Sequence, residues 1–384
     1  MKKKIAVIFG TRPDTIKLAP VIVDLQRQSK YFDVIPIATA QHRSMLDQVL
    51  DVFKIVPSYD LDVMKPKQSL AMITKNIIGA LDDVLTKEHP DMILVQGDTS
   101  TTFVGSLAAF YHHIPVAHVE AGLRTNSKNN PFPEEINRRL TTCIADLHFA
   151  PTETSKKALL REHVDPSTVF ITGNTVIDAL NTSVKKNYTF KYAPLNAILK
   201  GNKRRILITM HRRENWGDPM KSACNAVARL SKEYPGVDFI FPVHLNPMVR
   251  DIVYPILSQL PNVLLIEPLD YLDFVNTIAR VTLVLTDSGG VQEEAPSLGK
   301  PVLVLRNTTE RPEAVEFGTA KLVGLDEEMI FSSTKTLLNN PKAYAKMASA
   351  TNPYGDGLAS ERITAIIRNY FGFSKKIAGE FKPL

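Results

Sequence analysis

The sequence predicts an α/β protein made of two doubly wound, Rossmann-like domains facing a cleft. Three observations carry this. Short apolar runs rich in β-branched residues alternate with amphipathic segments along most of the 384 residues, the pattern of parallel sheets wound right-handedly. The alternation comes in two series, separated by the polar, basic stretch "SVKKNYTFKYAPLNAILKGNKR" (183–204). The length also exceeds the ~100–200 residues usual for one domain.

The first series opens with "KIAVIFG" (4–10), followed by a helical pattern with Ile16, Ala19, Val21, Ile22 and Leu25 on one side. "DVIPIATA" (33–40) precedes the helical "RSMLDQVLDVF", and "DMILVQGD" (91–98) precedes "TTFVGSLAAFYHH". "IPVAHVEAG" (114–122), "DLHFAPT" (146–152) and "TVFITGN" (168–174) complete it. Residues 183–204 lack a clear period and read as an irregular surface connection. The second series runs through "RRILITMHR" (204–212), "VDFIFPVH" (237–244), "NVLLIEP" (262–268), "VTLVLTDSGG" (281–290), "PVLVLRN" (301–307) and "AKLVG" (320–324). The expected domains are therefore 1–182 and 183–358, with 359–384 packing back on the first through the helical "ASERITAIIRNYFG".

Composition narrows the function. Hydrophobic content of 44% and charged content of 22% suit a soluble globular enzyme. The net charge of +6 suits an anionic small molecule. No long Lys/Arg run or aromatic-basic stripe points to nucleic acid. Two distant cysteines, Cys143 and Cys224, argue for a reducing compartment and against a thiolate zinc site, so no metal is expected. The apolar run in "MKKKIAVIFG" is too short for a signal sequence, and nothing approaches the ~18 apolar residues of a membrane span. A cytoplasmic protein without a membrane partner is expected.

Ligands of doubly wound sheets bind beyond the carboxyl ends of the strands, and the polar residues gather there. Arg12 and Lys17 follow the first strand, and Gln41 and His42 the second. Asp98 ends "ILVQGD", Glu120 ends "VAHVE", His211 ends "LITMH", His244 ends "IFPVH", and Asp287 with Ser288 ends "LVLTD". In "TDSGGVQEEAP" (286–296), Ser288, Gly289 and Gly290 open a helix whose backbone N–H groups and dipole favour a phosphate or diphosphate. Glu293 or Glu294 is placed to accept from ribose hydroxyls, and Arg311 and Glu313 lie in the following "TTERPEAVEFGT". The first domain offers "FGTRPD" in place of G-x-G-x-x-G, which argues against a nicotinamide cofactor.

The blocks "GTRPDTIKLAP", "TAQHR", "VQGDTSTTF", "HVEAGLRT", "PFPEEINRR", "GNTVIDAL", "MHRREN", "FPVHLNP" and "DSGGVQEEAPSLGKPVLVLRNTTERPEAVEFGT" resemble those of the non-hydrolysing UDP-N-acetylglucosamine 2-epimerases, in order and from about residue 4 to 370. The resemblance implies the glycosyltransferase-B fold and interconversion of UDP-GlcNAc and UDP-ManNAc. UDP leaves across C1–C2 to give 2-acetamidoglucal and adds back with C2 inverted, without metal or redox cofactor. It implies a homodimer that supplies ManNAc for cell-surface polysaccharide. By resemblance, Asp98, Glu120, Glu134 and His211 are the acid–base and electrostatic residues. Arg12, Lys17 and His211 steady the diphosphate. Ser288, Gly289, Gly290 and Glu294 hold phosphate and ribose, with His244 and Arg311 nearby. Gln41 and His42 correspond to a site for a second, activating UDP-GlcNAc.

The chain departs from the family pattern in three places. Asp14 stands where Glu is usual, "NSKNN" (126–130) replaces a Gly-Asp-x-x-Ser loop, and Arg139 and Thr142 stand where Gln and Gly are frequent. Rival readings are a hydrolysing epimerase, a UDP-sugar glycosyltransferase of the same fold and a catalytically inactive nucleotide-sugar sensor.

Overall fold

A computed structural model describes residues 1–39, 43–63, 68–375 and 379–383. The chain divides into two units: unit 1 takes Met1–Asn181 and Tyr354–Pro383, and unit 2 takes Thr182–Pro353.

Unit 1 holds seven parallel strands: β1 (Lys3–Phe9), β2 (Phe32–Ala38), β3 (Tyr59–Asp60), β4 (Met92–Gln96), β5 (Val116–Val119), β6 (Leu147–Ala150) and β7 (Val169–Ile171). Their order is β3-β2-β1-β4-β5-β6-β7. Ile5 to Phe9 are all buried, as a strand covered on both faces requires. β1 pairs with β2 on one side and β4 on the other, so the winding reverses between β1 and β4. Gly10 ends β1 where any side chain would collide with the hydroxyls of Thr39 and Thr101, themselves 2.9 Å apart.

The helix Arg12–Arg27 buries Leu18, Ala19, Val21, Ile22 and Leu25. The helix Ala359–Tyr370 packs against it. That return is tied at Asn174, whose N–H donates to Tyr354 O at 2.6 Å, and at Asp178, which accepts from Ser360 N at 2.7 Å.

Unit 2 repeats the plan with β8 (Arg204–Thr209), β9 (Val237–Pro242), β10 (Val263–Ile266), β11 (Leu283–Thr286), β12 (Val302–Val304) and β13 (Ala320–Leu322). All are parallel, in the order β10-β9-β8-β11-β12-β13. The reversal here falls between β8 and β11. The core of this unit gathers Ile206, Phe239, Phe241, Val253 and Leu285, with Trp216 packed against it.

One expectation fails. The 183–204 stretch is not irregular, since Ala193–Lys200 forms a helix with proline in its first turn. Leu195 is fully buried, Phe190 nearly so, and Tyr188 Oη donates to Asp273 at 2.7 Å. The short apolar face Leu195–Ile198–Leu199 was hidden among polar neighbours. No helix among the described residues is long and apolar enough to cross a membrane.

Candidate active site

At the switch point of unit 1 lies a concavity of about 490 Å³. The β1 turn and the first helix contribute Arg12, Asp14 and Lys17; the end of β4 contributes Gln96 and Asp98; Glu120 follows β5; and Glu134 opens the helix Glu134–Ile144. Five of the residues expected from sequence therefore meet in one place: Arg12, Lys17, Asp98, Glu120 and Glu134.

Their charges are organised in pairs. Lys17 Nζ donates to both oxygens of Glu120, at 2.6 and 2.7 Å. Asn174 Nδ2 donates to Glu120 Oε1 at 3.0 Å, and Gln96 Nε2 donates to Oε2. Asp98 accepts from Arg138, while the Asp98 carbonyl accepts from Asn137 Nδ2 at 3.0 Å. Arg138 also meets the fully buried Glu135 at 3.3 Å. Burial pushes Asp98 above the usual carboxylate range; Arg138 opposes this and Glu120 adds to it. Glu134 is raised too, by burial first and then by the charge of Asp98. Raised carboxyls side by side in a concavity are the arrangement general acid–base chemistry needs near neutral pH.

Asp14 has a different task. Its carboxylate accepts from the N–H groups of Gly10 (3.1 Å), Thr11 (2.7 Å) and Thr15 (2.8 Å) and from Thr11 Oγ1 (2.9 Å). It caps the first helix, and burial pushes it up to about 6 despite these donors. Nearby, His118 is fully buried, donates from Nε2 to Gly97 O at 2.7 Å, and is pushed by burial down to about 3, so it is neutral.

Unit 2 has its own cluster at the β8–β11 switch point. Asp287, fully buried, accepts from His211 N at 3.0 Å, Arg212 N at 2.9 Å and Asn215 Nδ2 at 2.9 Å. His211 Nδ1 lies 3.3 Å from Asp287 Oδ1. The ring is stacked near His244, with centroids 6.5 Å apart. Partial burial holds His211 below its usual range, against the pull of Asp287.

Gly289 and Gly290 open the helix Gly289–Ser297, which has no acid in its first turn. A Cβ on Gly290 would meet nothing within 4 Å, and one on Gly289 would stand 3.7 Å from the Glu310 carboxylate and 3.8 Å from the Arg212 guanidinium. Arg212 pairs with Glu310 at 3.3 Å, and Arg306 with Glu214 at 2.8 Å. Arg311 is bound to Glu293, and Glu293 and Glu294 are both buried. Gln41 and His42 lie outside the described residues.

Residues 24–368 match the family model for UDP-N-acetylglucosamine 2-epimerase. The UDP-N-acetylglucosamine 2-epimerase of Bacillus subtilis is 52% identical over 382 residues, 99% of each chain. The chain belongs to the UDP-N-acetylglucosamine 2-epimerase family. Among solved structures, S. aureus MnaA with UDP superposes with a TM-score of 0.89 at 48% identity, covering 99% of this chain and 100% of that one. The Neisseria meningitidis UDP-GlcNAc 2-epimerase bound to UDP-GlcNAc gives 0.86 at 51%, covering 95% and 100%. The two parallel sheets are the glycosyltransferase-B-type fold of these epimerases.

Sequence reasoning missed Arg138, Gln96 and Asn174 within this epimerase-family site. Arg138 carried one signal, its i,i+3 spacing from Glu135. Its reach to Asp98, 40 residues away, has no local signature.

Proposed function

We propose that the protein interconverts UDP-GlcNAc and UDP-ManNAc by inverting C2, without hydrolysis and without a metal or redox cofactor. The observation that carries this reading is the meeting of Asp98 and Glu134, both raised, with the Lys17–Glu120 pair in one concavity of unit 1. A carboxylate takes the C2 proton, and the C–H electron pair becomes the C1=C2 double bond. The C1–O bond breaks, and its electrons stay on the β-phosphate oxygen of UDP. Arg12, Lys17 and His211 offset the charge that develops there. UDP then adds back to C1 while a second acid protonates C2 from the opposite face. No electron is gained or lost overall.

In this reading unit 2 holds the nucleotide, with phosphate at Ser288, Gly289 and Gly290, ribose at Glu294, and His244 and Arg311 beside them. The protein works as a cytoplasmic homodimer that supplies ManNAc units to polysaccharide. Gln41 and His42 take a second, activating UDP-GlcNAc, so UDP-ManNAc alone turns over slowly until a trace of UDP-GlcNAc is added.

The test is to incubate the protein with UDP-GlcNAc in heavy water and follow it by NMR. Deuterium should enter C2, UDP-ManNAc should accumulate to equilibrium, and free ManNAc should stay absent. Free ManNAc with UDP would indicate the hydrolysing reaction. Unchanged substrate would leave a nucleotide-sugar binding protein.

A further inference from the structure

Glu120 has an unusual backbone for its position. It follows β5 with φ of +63°, a left-handed conformation that a non-glycine residue keeps only where its surroundings hold it. Its side chain is 4% exposed, and three separate elements converge on it. Lys17 comes from the first helix, Gln96 from the end of β4, and Asn174 from beyond β7. Every one of these partners donates. A proton added to either oxygen would have to displace a donor, because an ionised carboxylate only accepts. The floor is equally fixed. Gly97 (φ +71°) lies against Glu120, where a Cβ would stand 3.7 Å from Oε2, and its carbonyl is held by the buried His118.

The other two carboxyls contrast with this. Glu134 makes no ion pair among the described residues and is half-buried at a helix start. Asp98 has one charged partner, Arg138, and a side chain 26% exposed.

We propose that Glu120 transfers no proton: it is a fixed counter-ion that holds Lys17, and Asn174 and Gln96 are positioning residues that hold Glu120 in place. The C2 proton then passes through Asp98 and Glu134. This deepens, and rests on, the epimerase reading above. Asn174 is suited to the task because its two side-chain atoms do different work. Oδ1 accepts from Val176 N at 3.1 Å and caps the helix Thr175–Ser183, while Nδ2 reaches Glu120. The same residue's backbone holds Tyr354, where the chain re-enters unit 1.

Asn174→Asp keeps the cap acceptor and the size but turns the donor facing Glu120 into an acceptor. Gln96→Met removes the second donor without touching that cap. Both are compared with Lys17→Met, Glu120→Gln and the doubles Lys17→Met/Glu120→Gln and Lys17→Met/Asn174→Asp. The readouts are steady-state turnover and UDP affinity by calorimetry, with melting curves to check folding. Wild-type turnover with C2 exchange is the control: its absence would sink the epimerase reading itself, whereas the cycles below test only the role of Glu120.

In wild-type background, Asn174→Asp should lower kcat/KM about 10-fold and weaken UDP several-fold. Gln96→Met should do the same to a smaller extent. In Lys17→Met background, Asn174→Asp and Glu120→Gln should each change either quantity by less than about 3-fold, because contacts that act through one residue do not add. Losses that multiply in the doubles would make Glu120 act on its own and overturn the proposal. So would a folded Asn174→Asp with wild-type kcat and UDP affinity. Where a double turns over too slowly to measure, the UDP titration reads the same cycle.

Discussion

A helix begins at the switch point of each sheet, and the two beginnings are opposite. The helix Arg12–Arg27 starts with its own anion, because Asp14 takes up the N–H groups of Gly10, Thr11 and Thr15. The helix Gly289–Ser297 has no acid in its own first turn; Gly290 faces open space, and Gly289 faces the Glu310–Arg212 pair. Every helix start leaves N–H groups that favour negative charge. In unit 1 a side chain uses that capacity, and the remaining cations, Arg12 and Lys17, sit among carboxyls. In unit 2 no side chain of the helix's own first turn uses it. In the reading proposed above, one topology serves proton chemistry in one unit and anion capture in the other, and only side chains distinguish them.

The largest effect should fall on the proton chemistry. Asp98→Asn and Glu134→Gln should each cut turnover by at least ~100-fold, the usual contribution of a general acid or base. UDP affinity, measured by calorimetry, should stay within about 3-fold, because neither carboxyl is among the groups proposed to hold the diphosphate. An Asp98→Asn or Glu134→Gln variant that loses UDP binding and turnover in parallel would take proton transfer away from that residue.

The division was partly legible in the sequence. The strand runs carry their signal in continuous apolar stretches, so the two series of strands could be placed, though not their order in each sheet. β3 is two residues long and has no period to detect. The helix Ala193–Lys200 was masked by polar neighbours. Among site residues, the strand-end acids declare themselves because buried strands leave no other place for them. Their partners do not: Asn174 looks like a turn residue, and Gln96 like the polar end of a strand. Sequence order cannot say that both meet Glu120, because that contact is made by the sheet order β4-β5-β6-β7.

The next effect sharpens the role of the arginines in unit 2. Arg311 reads from sequence as a ligand contact, yet it is paired with Glu293, which is 1% exposed. Arg311→Met should therefore cost about 3 kcal/mol, the usual penalty of removing one partner of a buried ion pair, before any ligand is considered. Trp216 is the only tryptophan and packs on the core of unit 2, so its fluorescence in urea reads this unit alone. A variant as stable as wild type that binds UDP poorly would return Arg311 to the ligand.

Asp14 tests the closed helix start. Its usual value in an unfolded chain is 3.8, and in the fold it is raised to about 6. The folded state binds the proton more tightly, so this group contributes stability below about pH 4 that is lost as pH rises through 6. Linkage gives about 1.4 kcal/mol per pH unit inside that window. Between pH 4.5 and 6.5 wild type should lose about 2 kcal/mol more than Asp14→Asn, measured by calorimetric unfolding of both. An equal loss would mean that the three backbone donors keep Asp14 ionised throughout.

The smallest effect concerns the open helix start, where stability and binding should move in opposite directions. Gly290 has no positive φ, so alanine fits its backbone, and a Cβ there meets nothing within 4 Å. In a helix that exchange is worth up to about 1 kcal/mol of added stability. If the glycine served the fold alone, Gly290→Ala would be a simple improvement. If it keeps the N–H groups approachable for a diphosphate, the added methyl stands where the anion must come, and UDP affinity should fall about 10-fold while Trp216 unfolding moves to higher urea. Tighter folding with unchanged UDP affinity would show that the two helix starts differ only in their caps, and that the nucleotide is held elsewhere in unit 2.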